Sequence, residues 1–294
     1  MPTWLRLKRK LKIILAAFLV ATLAFGLFAW HGGSVLIAPS NCEIGPPPTD
    51  MPVQPVEFPN SSGAILHGWL VRGQAGKGVV ILMHGIRANR LQQAEHARFL
   101  YRAGYSVLLF DFQAHGESVG KHITAGYLES RDATTAVNFV RQKCPGEKIC
   151  VSGFSMGGAS ALLAQPPLPV DAMILESVYP TIEQAVVDRL VIRFGPLGKL
   201  GAPFLIWQLK PRLGISQDDL CPIKQVGHIT VPKFFIAGTA DQDTTAKESK
   251  DLFAAAAEPK QFWLIDGAAH VDMLVFAKGE YEKRILNFLA KNMN

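Results

Sequence analysis

The stretch Val151-Ser-Gly-Phe-Ser155-Met-Gly-Gly158 decides the fold, because it places one serine between glycines where an apolar run ends. The residues Lys148–Phe154 have the character of a buried strand, and a helix-like segment follows the glycines. Gly153–Gly157 has the pattern Gly-x-Ser-x-Gly, in which small residues on both sides permit a sharp strand–turn–helix bend. Such a bend presents the hydroxyl of Ser155 at the carboxyl end of the strand. Ser152 lies within the strand without flanking glycines and is the poorer candidate for a nucleophile.

Short apolar runs alternate with longer helix-like segments on both sides of this bend. The predicted strands are Ile65–Val71, Val79–His84, Ser106–Phe112, Lys148–Phe154, Ala172–Glu176, Lys233–Gly238 and Gln261–Ile265. The predicted helices are Leu91–Ala103, Glu129–Lys143, Gly157–Ala164, Ile182–Phe194, Ala246–Ala256 and Tyr281–Lys291. Continuous apolar strands alternating with helices indicate a mostly parallel sheet covered on both faces. We therefore expect one α/β domain over residues 51–294.

One insertion, at about residues 178–230, is longer than a single crossover helix requires. Its middle carries Phe204, Leu205, Ile206 and Trp207 among glycines and prolines. These residues predict either a cap over a pocket or an ordinary packed pair of helices.

The positive charge of the chain is concentrated at its N-terminus. The net charge is +6, and five basic residues without an acidic one between them lie at Arg6, Lys8, Arg9, Lys10 and Lys12. Removing those five leaves +1 for the remainder, so the distribution does not indicate a nucleic-acid-binding surface. Residues 1–12 are instead predicted to be a basic cytoplasmic segment.

The basic segment precedes Ile13–Trp30, eighteen residues without a charge. As a helix these span about 27 Å, close to the roughly 30 Å of a bilayer core. We expect a single-pass signal anchor over residues 13–30 rather than a cleaved signal peptide or a buried core helix. The positive-inside rule places the following domain on the outer side of the membrane, which is the periplasm in a bacterium. Residues 31–50, rich in Gly and Pro, are expected to be a semi-rigid tether.

The four cysteines allow several interpretations. Cys144 and Cys150 flank a short turn, and Cys42 and Cys221 remain, so three disulfide connectivities are open, as are plain buried thiols. No Cys-x-x-Cys spacing occurs, and no metal site is predicted.

A serine hydroxyl needs a base, which in turn needs an acid to orient it. His270 follows the last predicted strand in a loop of small residues, whereas His228 precedes a strand and lies at the wrong edge of the sheet. Asp241 comes three residues after Gly238 at the end of a predicted strand, and Asp243 is the second choice. The order Ser, Asp, His fits the elbow arrangement. We therefore predict Ser155, Asp241 and His270 as a catalytic triad.

An oxyanion intermediate needs two backbone N–H donors, one from the residue after the nucleophile and one from an earlier strand–helix loop. The first is predicted at Met156. The second is predicted at Ile86, with Arg87 as the alternative, after His84, which we interpret as shaping the loop. Arg87 and Arg90 either receive an anionic group of the substrate or are solvated surface cations.

Taken together, these segments resemble the serine hydrolases of the α/β-hydrolase superfamily, from about Val53 to the C-terminus. The resemblance is carried by His84-Gly85, Asp111–Ser118, the Gly153–Gly157 elbow, and Gly238–Asp241 with His270. It implies that Asp111 and the His115–Ser118 turn are structural and that the insertion is a cap. Within the superfamily, the chain is similar to membrane-anchored hydrolases of the monoglyceride-lipase or lysophospholipase kind. A serine at the elbow differs from the aspartate of dehalogenases and from the cysteine of lactone hydrolases on this fold.

The resulting expectation is a serine esterase that cleaves acyl esters of small molecules, lipid-like ones included, through an acyl-enzyme. A serine aminopeptidase or amidase is the alternative enzyme, and a binding module without catalysis is the alternative outside enzymes. The sequence contains no P-loop, dinucleotide fingerprint or His-Glu-x-x-His helix, so no cofactor is expected.

Overall fold

The structure, a computed structural model, describes residues 3–293. The strands are β1 (Ser40–Asn41), β2 (Val53–Pro59), β3 (Ile65–Val71), β4 (Val79–Met83), β5 (Ser106–Phe110), β6 (His115–Gly116), β7 (Ile149–Phe154), β8 (Ala172–Glu176), β9 (Lys233–Gly238) and β10 (Lys260–Ile265). The α-helices are α1 (Thr3–Ile37), α2 (Ala94–Arg102), α3 (Tyr127–Lys143), α4 (Met156–Leu163), α5 (Ile182–Phe194), α6 (Ala202–Trp207), α7 (Leu209–Leu213), α8 (Pro222–Gln225), α9 (Ala246–Ala255), α10 (Met273–Phe276) and α11 (Lys278–Asn292). Short 3₁₀ segments lie at Arg90–Gln93, Gly195–Gly201, Asp218–Leu220 and Val226–His228.

The predicted α/β architecture is confirmed. Eight strands form one sheet in the order β10-β9-β8-β7-β4-β5-β3-β2. The pairs from β10 to β5 are parallel, and β3 pairs antiparallel with both β5 and β2. Two clusters of buried apolar side chains cover its two faces, which is why the central strands are continuously apolar. Strand β2 was not predicted, because Pro55 and Pro59 speak against a strand, and it lies at the sheet edge where proline is tolerated.

The carboxyl ends of the parallel strands meet at one edge of this sheet, and the cap covers that edge. The cap, residues 178–230, contains α5 to α8 and three 3₁₀ segments. Ile182 of α5 and Leu205 of α6 line a cavity together with Ser155 at the end of β7. The insertion is therefore a cap above a cavity as well as a packed set of helices.

Helix α1 and the segment after it differ from the expected anchor and tether. The helix continues past Trp30 to Ile37. Ser40–Asn41 then pairs with strand β6, and the side chains of Ile44 and Met51 are buried in the domain. The expectation of a tether was therefore wrong, since this segment packs on the domain and holds α1 against it.

Two segments have the length and apolar composition of a membrane-spanning helix. One is Leu7–Ile37, whose apolar side chains are exposed along most of its length. The other is Ile182–Leu213, which belongs to the cap and is interrupted by the 3₁₀ segment Gly195–Gly201.

The cysteines are not paired in the described part of the chain. Cys144, Cys150 and Cys221 are buried thiols, and Cys42 is an exposed thiol. The interpretation as plain thiols fits the structure better than a disulfide.

Candidate active site

Ser155 occupies the tight turn between β7 and α4. Its backbone has φ 51° and ψ −115°, in the left-handed half of conformational space, and its N–H donates to the carbonyl of Glu176 at 2.8 Å. A Cβ at Gly153 would lie 2.4 Å from a backbone nitrogen, and one at Gly157 would lie 2.3 Å from the carbonyl oxygen of Met83. The two glycines are therefore required by close backbone approach, which is the reason for the Gly-x-Ser-x-Gly spacing.

Asp241 and His270 are brought together at the ends of neighbouring strands. Nδ1 of His270 donates to Oδ2 of Asp241 at 2.8 Å, and the aspartate side chain is fully buried. The other oxygen of Asp241 accepts the N–H groups of Asp243 and Thr244, both at 2.9 Å. Because the carboxylate is only an acceptor, the neutral imidazole carries its proton on Nδ1 and leaves Nε2 free to accept one.

Asp243, the second choice for the acid, faces another partner. Its carboxylate is one-third exposed and lies 3.6 Å from Nε of Arg189 in the cap. Among the described residues, only Asp241, Asp243 and His270 form a cluster of carboxylate and imidazole atoms compact enough for a cation. Both oxygens of Asp241 and the Nδ1 of His270 are already used within the protein, which makes the cluster a poor metal site.

The imidazole lies beside the serine turn. The ring centroid of Phe154, the residue before Ser155, is 4.9 Å from that of His270. Within residues 3–293 no hydrogen bond joins Ser155 to His270. Hydrogen bonds of this kind often form only when a substrate is bound, so the arrangement is compatible with a nucleophile and its base.

Two backbone amides adjoin the serine and the cavity. Met156 is the first residue of α4, and Ile86 lies in the turn after β4; both residues line the same cavity as Ser155. In the described chain neither N–H donates a hydrogen bond to a protein acceptor. The partial positive charge of the α4 N-terminus adds to that of the two donors. The arrangement fits the predicted pair of oxyanion donors.

The cavity beneath the cap has a volume of about 270 Å³. Its wall is mostly apolar, and no aspartate or glutamate of the described residues lines it. Apart from Ser155, its polar side chains are already hydrogen-bonded to other protein groups; these are Arg87, Thr124, Tyr179, Arg189, Gln208 and Arg212. The cavity therefore presents hydrocarbon to a ligand, with one hydroxyl at its end.

His84 shapes the loop after β4, in agreement with its interpretation from the sequence. Its Nδ1 donates to the carbonyl of Gly85 at 2.7 Å, and its Nε2 accepts the N–H of Phe112 at 3.1 Å. Burial, together with the neighbouring His115, lowers the pKa of His84 to about 3. The ring is thus neutral and acts as a fixed bridge between two loops.

Neither interpretation holds for Arg90, whereas Arg87 is an exposed cation, as the second interpretation expects. Arg90 is buried, stacks on Trp69 and forms an ion pair with Asp111 at 2.6 Å and a second one with Glu117. Burial raises the pKa of Asp111, and the Arg90 guanidinium opposes that shift. Arg87 donates to backbone carbonyls at the end of α1. Both arginines thus hold loops or a helix in place, and the enclosed Arg90 is not free to receive a substrate anion.

Three cavity residues had not been expected from the sequence. Gly33, Leu36 and Ile37 belong to α1 and form part of the cavity wall. The adjacent small residues Gly32 and Gly33 near the end of an apolar helix were the available signal, because small residues permit close helix–helix approach. Of the apolar cap residues, Leu205 and Ile206 line the cavity, whereas Phe204 and Trp207 contact α1.

Several known proteins are similar to this chain. The profile of a family described as serine aminopeptidase, S33, matches residues 74–219. An uncharacterised protein of Mycobacterium tuberculosis is 29% identical over 265 residues, which cover 86% of each chain. The lysophosphatidylserine lipase ABHD12 of Macaca fascicularis is 22% identical over 196 residues, which cover 63% of this chain and 46% of the lipase.

A solved structure has the same fold. The esterase Pf2001 of Pyrococcus furiosus superposes with a TM-score of 0.73 over 88% of this chain and 99% of the esterase, at 23% sequence identity. The fold described above thus belongs to a known architecture.

Proposed function

The chain belongs to the α/β-hydrolase superfamily, and from this premise we propose that it is a serine esterase with Ser155, His270 and Asp241 as its catalytic triad. The observation that carries the proposal is the joint geometry of a strained serine turn and an Asp241–His270 pair at one sheet edge. Strained backbone of this kind costs about 1–3 kcal/mol and is concentrated at functional sites, which supports a functional role for this serine. The similarity to an esterase and to a lipase supports the same reaction class.

The proposed reaction proceeds in two halves. Oγ of Ser155 attacks the ester carbonyl carbon while its proton moves to Nε2 of His270, and the N–H groups of Met156 and Ile86 bind the oxyanion. The C–O bond to the alcohol then breaks, and the alcohol leaves with the proton from Nε2. A water molecule then attacks the acyl-enzyme carbonyl carbon while its proton moves to Nε2 of His270. The bond between that carbon and Oγ of Ser155 breaks, the acid is released, and Oγ takes the proton back from Nε2. Asp241 keeps the imidazole oriented throughout and stabilises its protonated form.

The cavity favours an acyl ester over a peptide with a free N-terminus. An aminopeptidase must stabilise the ammonium group of its substrate, which normally requires a carboxylate at the binding site. No acidic side chain of the described residues lines this cavity, although the matching family profile is described by aminopeptidase activity. An acyl chain, in contrast, needs only apolar contacts.

A pair of matched substrates tests this choice. We expect the propanoyl p-nitrophenyl ester to be cleaved with a kcat/KM at least about 100-fold higher than that of the alanyl ester, because an unpaired ammonium is costly to bury. The two substrates differ only in that ammonium group. A fluorophosphonate probe, located by mass spectrometry, should label Ser155. A preference for the alanyl ester would support an aminopeptidase, and the absence of labelling would contradict the assignment of the nucleophile.

We further propose that α1 anchors the protein in a membrane as a single span. Its exposed apolar side chains, the adjacent basic residues and the 35-residue length support this role. The basic N-terminal flank favours an N-terminus in the cytoplasm and a catalytic domain on the outer side.

Cys42 provides a direct test of this topology. It is the exposed thiol among the four cysteines of the described chain, and it lies just beyond α1. In intact spheroplasts that produce the protein, a membrane-impermeant maleimide should label the wild type but not Cys42→Ser. The full-length chain should also stay with the membranes during a carbonate wash. Labelling that appears only after lysis would place the domain in the cytoplasm.

A further inference from the structure

Helix α1 forms one wall of the cavity that contains Ser155. Gly33, Leu36 and Ile37 contribute to that wall, opposite residues of the cap. Leu36 is half exposed, and Ile86, beside the serine, is also partly exposed, so the cavity opens where α1 meets the loop after β4. An anchor that only tethered the domain would not line its active site.

The end of α1 is fixed to the domain by several contacts. Arg87 donates to the carbonyls of Leu36 and Ala38, each at 3.4 Å, and the N–H of Ile123 donates to the carbonyl of Ile37 at 2.9 Å. These bonds satisfy carbonyl groups that a helix C-terminus otherwise leaves open.

Two cap residues contact α1 about one and two turns earlier. Gln208 donates to the carbonyl of Ala29 at 3.0 Å, and Arg212 donates to the hydroxyl of Ser34 at 2.9 Å. The guanidinium of Arg212 also stacks on Trp30, with its carbon 3.8 Å from the ring centroid. A Cβ at Gly33 would lie only 2.2 Å from Oε1 of Gln208, whereas a Cβ at Gly32 would meet no atom within 4 Å.

The cap presents an apolar face beside the same helix. This apolar cap face consists of exposed side chains, namely Ile192, Phe194, Leu197, Leu200, Phe204 and Trp207. It continues onto α1 through two aromatic contacts, Phe204 with Phe25 and Trp207 with Trp30. The surface is thus continuous with the helix that is proposed to cross the bilayer.

The helical rise gives the depth of these groups. Lys12 and Trp30 are separated by about 27 Å along α1, which matches the hydrocarbon core and places Trp30 at its outer boundary. Phe25 lies about 7 Å deeper, so the contacting Phe204 is immersed by that distance, as is typical of interfacial helices. Gly33 to Ile37 lie about 5–10 Å beyond Trp30, within the headgroup layer.

The charges of the cap suit that position. Between Ile182 and Leu213 the chain has five basic and two acidic residues. Arg193, Lys199 and Lys210 are exposed. Basic side chains beside an immersed apolar face are attracted to anionic lipids.

We propose that the substrate is a single-chain acyl ester of the lipid leaflet, and that its chain moves along α1 into a cavity whose wall α1 completes. This inference rests on the proposed esterase function and adds the substrate class and the role of the anchor. A cavity of about 270 Å³ is slightly smaller than the roughly 300 Å³ at which ligand pockets begin, so it accommodates one acyl chain rather than two.

Two adjacent glycines provide the test. Full-length Gly33→Leu and Gly32→Leu, in vesicles of phosphatidylcholine and phosphatidylglycerol, are compared on p-nitrophenyl dodecanoate and p-nitrophenyl acetate. Both changes replace a glycine with leucine in one helix, but only the first enters the cavity wall. We expect the dodecanoate-to-acetate ratio of kcat/KM to fall at least about tenfold in Gly33→Leu and to stay at the wild-type value in Gly32→Leu.

A second pair removes side chains and so avoids crowding. Leu36→Ala shortens a wall residue, whereas Val35→Ala shortens an exposed neighbour outside the cavity. The dodecanoate-to-acetate ratio of kcat/KM should fall in Leu36→Ala alone.

Leu200→Glu, which puts a charge on the apolar cap face, should lower the same ratio in vesicles.

The outcomes separate the inference from the proposed function. Equal ratios within both pairs would show that α1 is not part of the acyl site, and an unchanged ratio in Leu200→Glu would show that the chain does not come from the leaflet. A wild type that neither hydrolyses the acetyl ester nor reacts with a fluorophosphonate would overturn the esterase itself, and with it this inference.

Discussion

Replacement of Ser155 with alanine is expected to lower kcat by about 10⁶-fold on any ester that the wild type cleaves, as triad knockouts do in serine proteases. The substitution removes the only hydroxyl that the turn presents to the cavity. The other two hydroxyls on the wall, those of Thr124 and Tyr179, already donate to Glu129 and to the carbonyl of Ala125. Alanine is as compatible as serine with the backbone angles at this position, so the melting temperature should stay the same. Steady-state kinetics on p-nitrophenyl butyrate and thermal unfolding measure the two quantities.

Ser152→Ala is the matched control for this substitution. Ser152 is buried in β7, three residues before the nucleophile, and its hydroxyl does not line the cavity. This variant should retain activity. If Ser155→Ala keeps more than a few per cent of the wild-type kcat, the hydroxyl of Ser155 is not the nucleophile.

The sequence predicted the sheet well because the strands are apolar along their whole length and bounded by turn residues. Strands β3, β8 and β9 begin and end at the predicted residues. The position of His270 beside Asp241 could also be predicted from the sequence, because parallel strands bring their carboxyl ends to one edge of the sheet. For these residues the local sequence pattern and the sheet topology predict the same position.

The contacts of α1 could not be predicted in this way. Gln208 and Ala29 are 179 residues apart, and the hydrogen bond between them depends on how the cap packs. An apolar helix after basic residues predicts a membrane span, and the same composition suits a helix that packs on a cap. The prediction of a tether after Trp30 was wrong for a related reason. Residues such as Ile44 are buried against the domain, and the site that buries them exists only in the folded structure.

The arginines show a similar limit. A charged side chain after a strand is usually solvated, and nothing near Arg90 in the sequence indicates that Trp69 and Asp111 enclose it. The identity of Asp111 as a structural residue followed only from the family resemblance. Residue type and order identify a site more readily than they identify the groups that support it.

Asp241→Asn is expected to lower kcat/KM by about 10⁴-fold, because it changes the tautomer of His270. One side-chain oxygen of Asp241 accepts the N–H groups of Asp243 and Thr244, so the amide oxygen of asparagine will keep that position. The amide NH₂ group then faces Nδ1 of His270, which must become an acceptor. The imidazole proton moves to Nε2, which can no longer take the proton of Ser155. Kinetics, together with ¹⁵N chemical shifts of the His270 ring, measure both the loss and its cause.

Asp243→Asn is the control that this geometry provides. Asp243 carries the same charge two residues away and faces Arg189 rather than His270, so its loss should change kcat/KM by no more than a few-fold, as expected for a partly exposed ion pair. Combining Asp241→Asn with Ser155→Ala should add little to the loss of the serine variant, because the three groups act as a unit. If Asp243→Asn were the inactive enzyme and Asp241→Asn the active one, the acid of the triad would be Asp243, and the hydrogen bond to His270 would only support the fold.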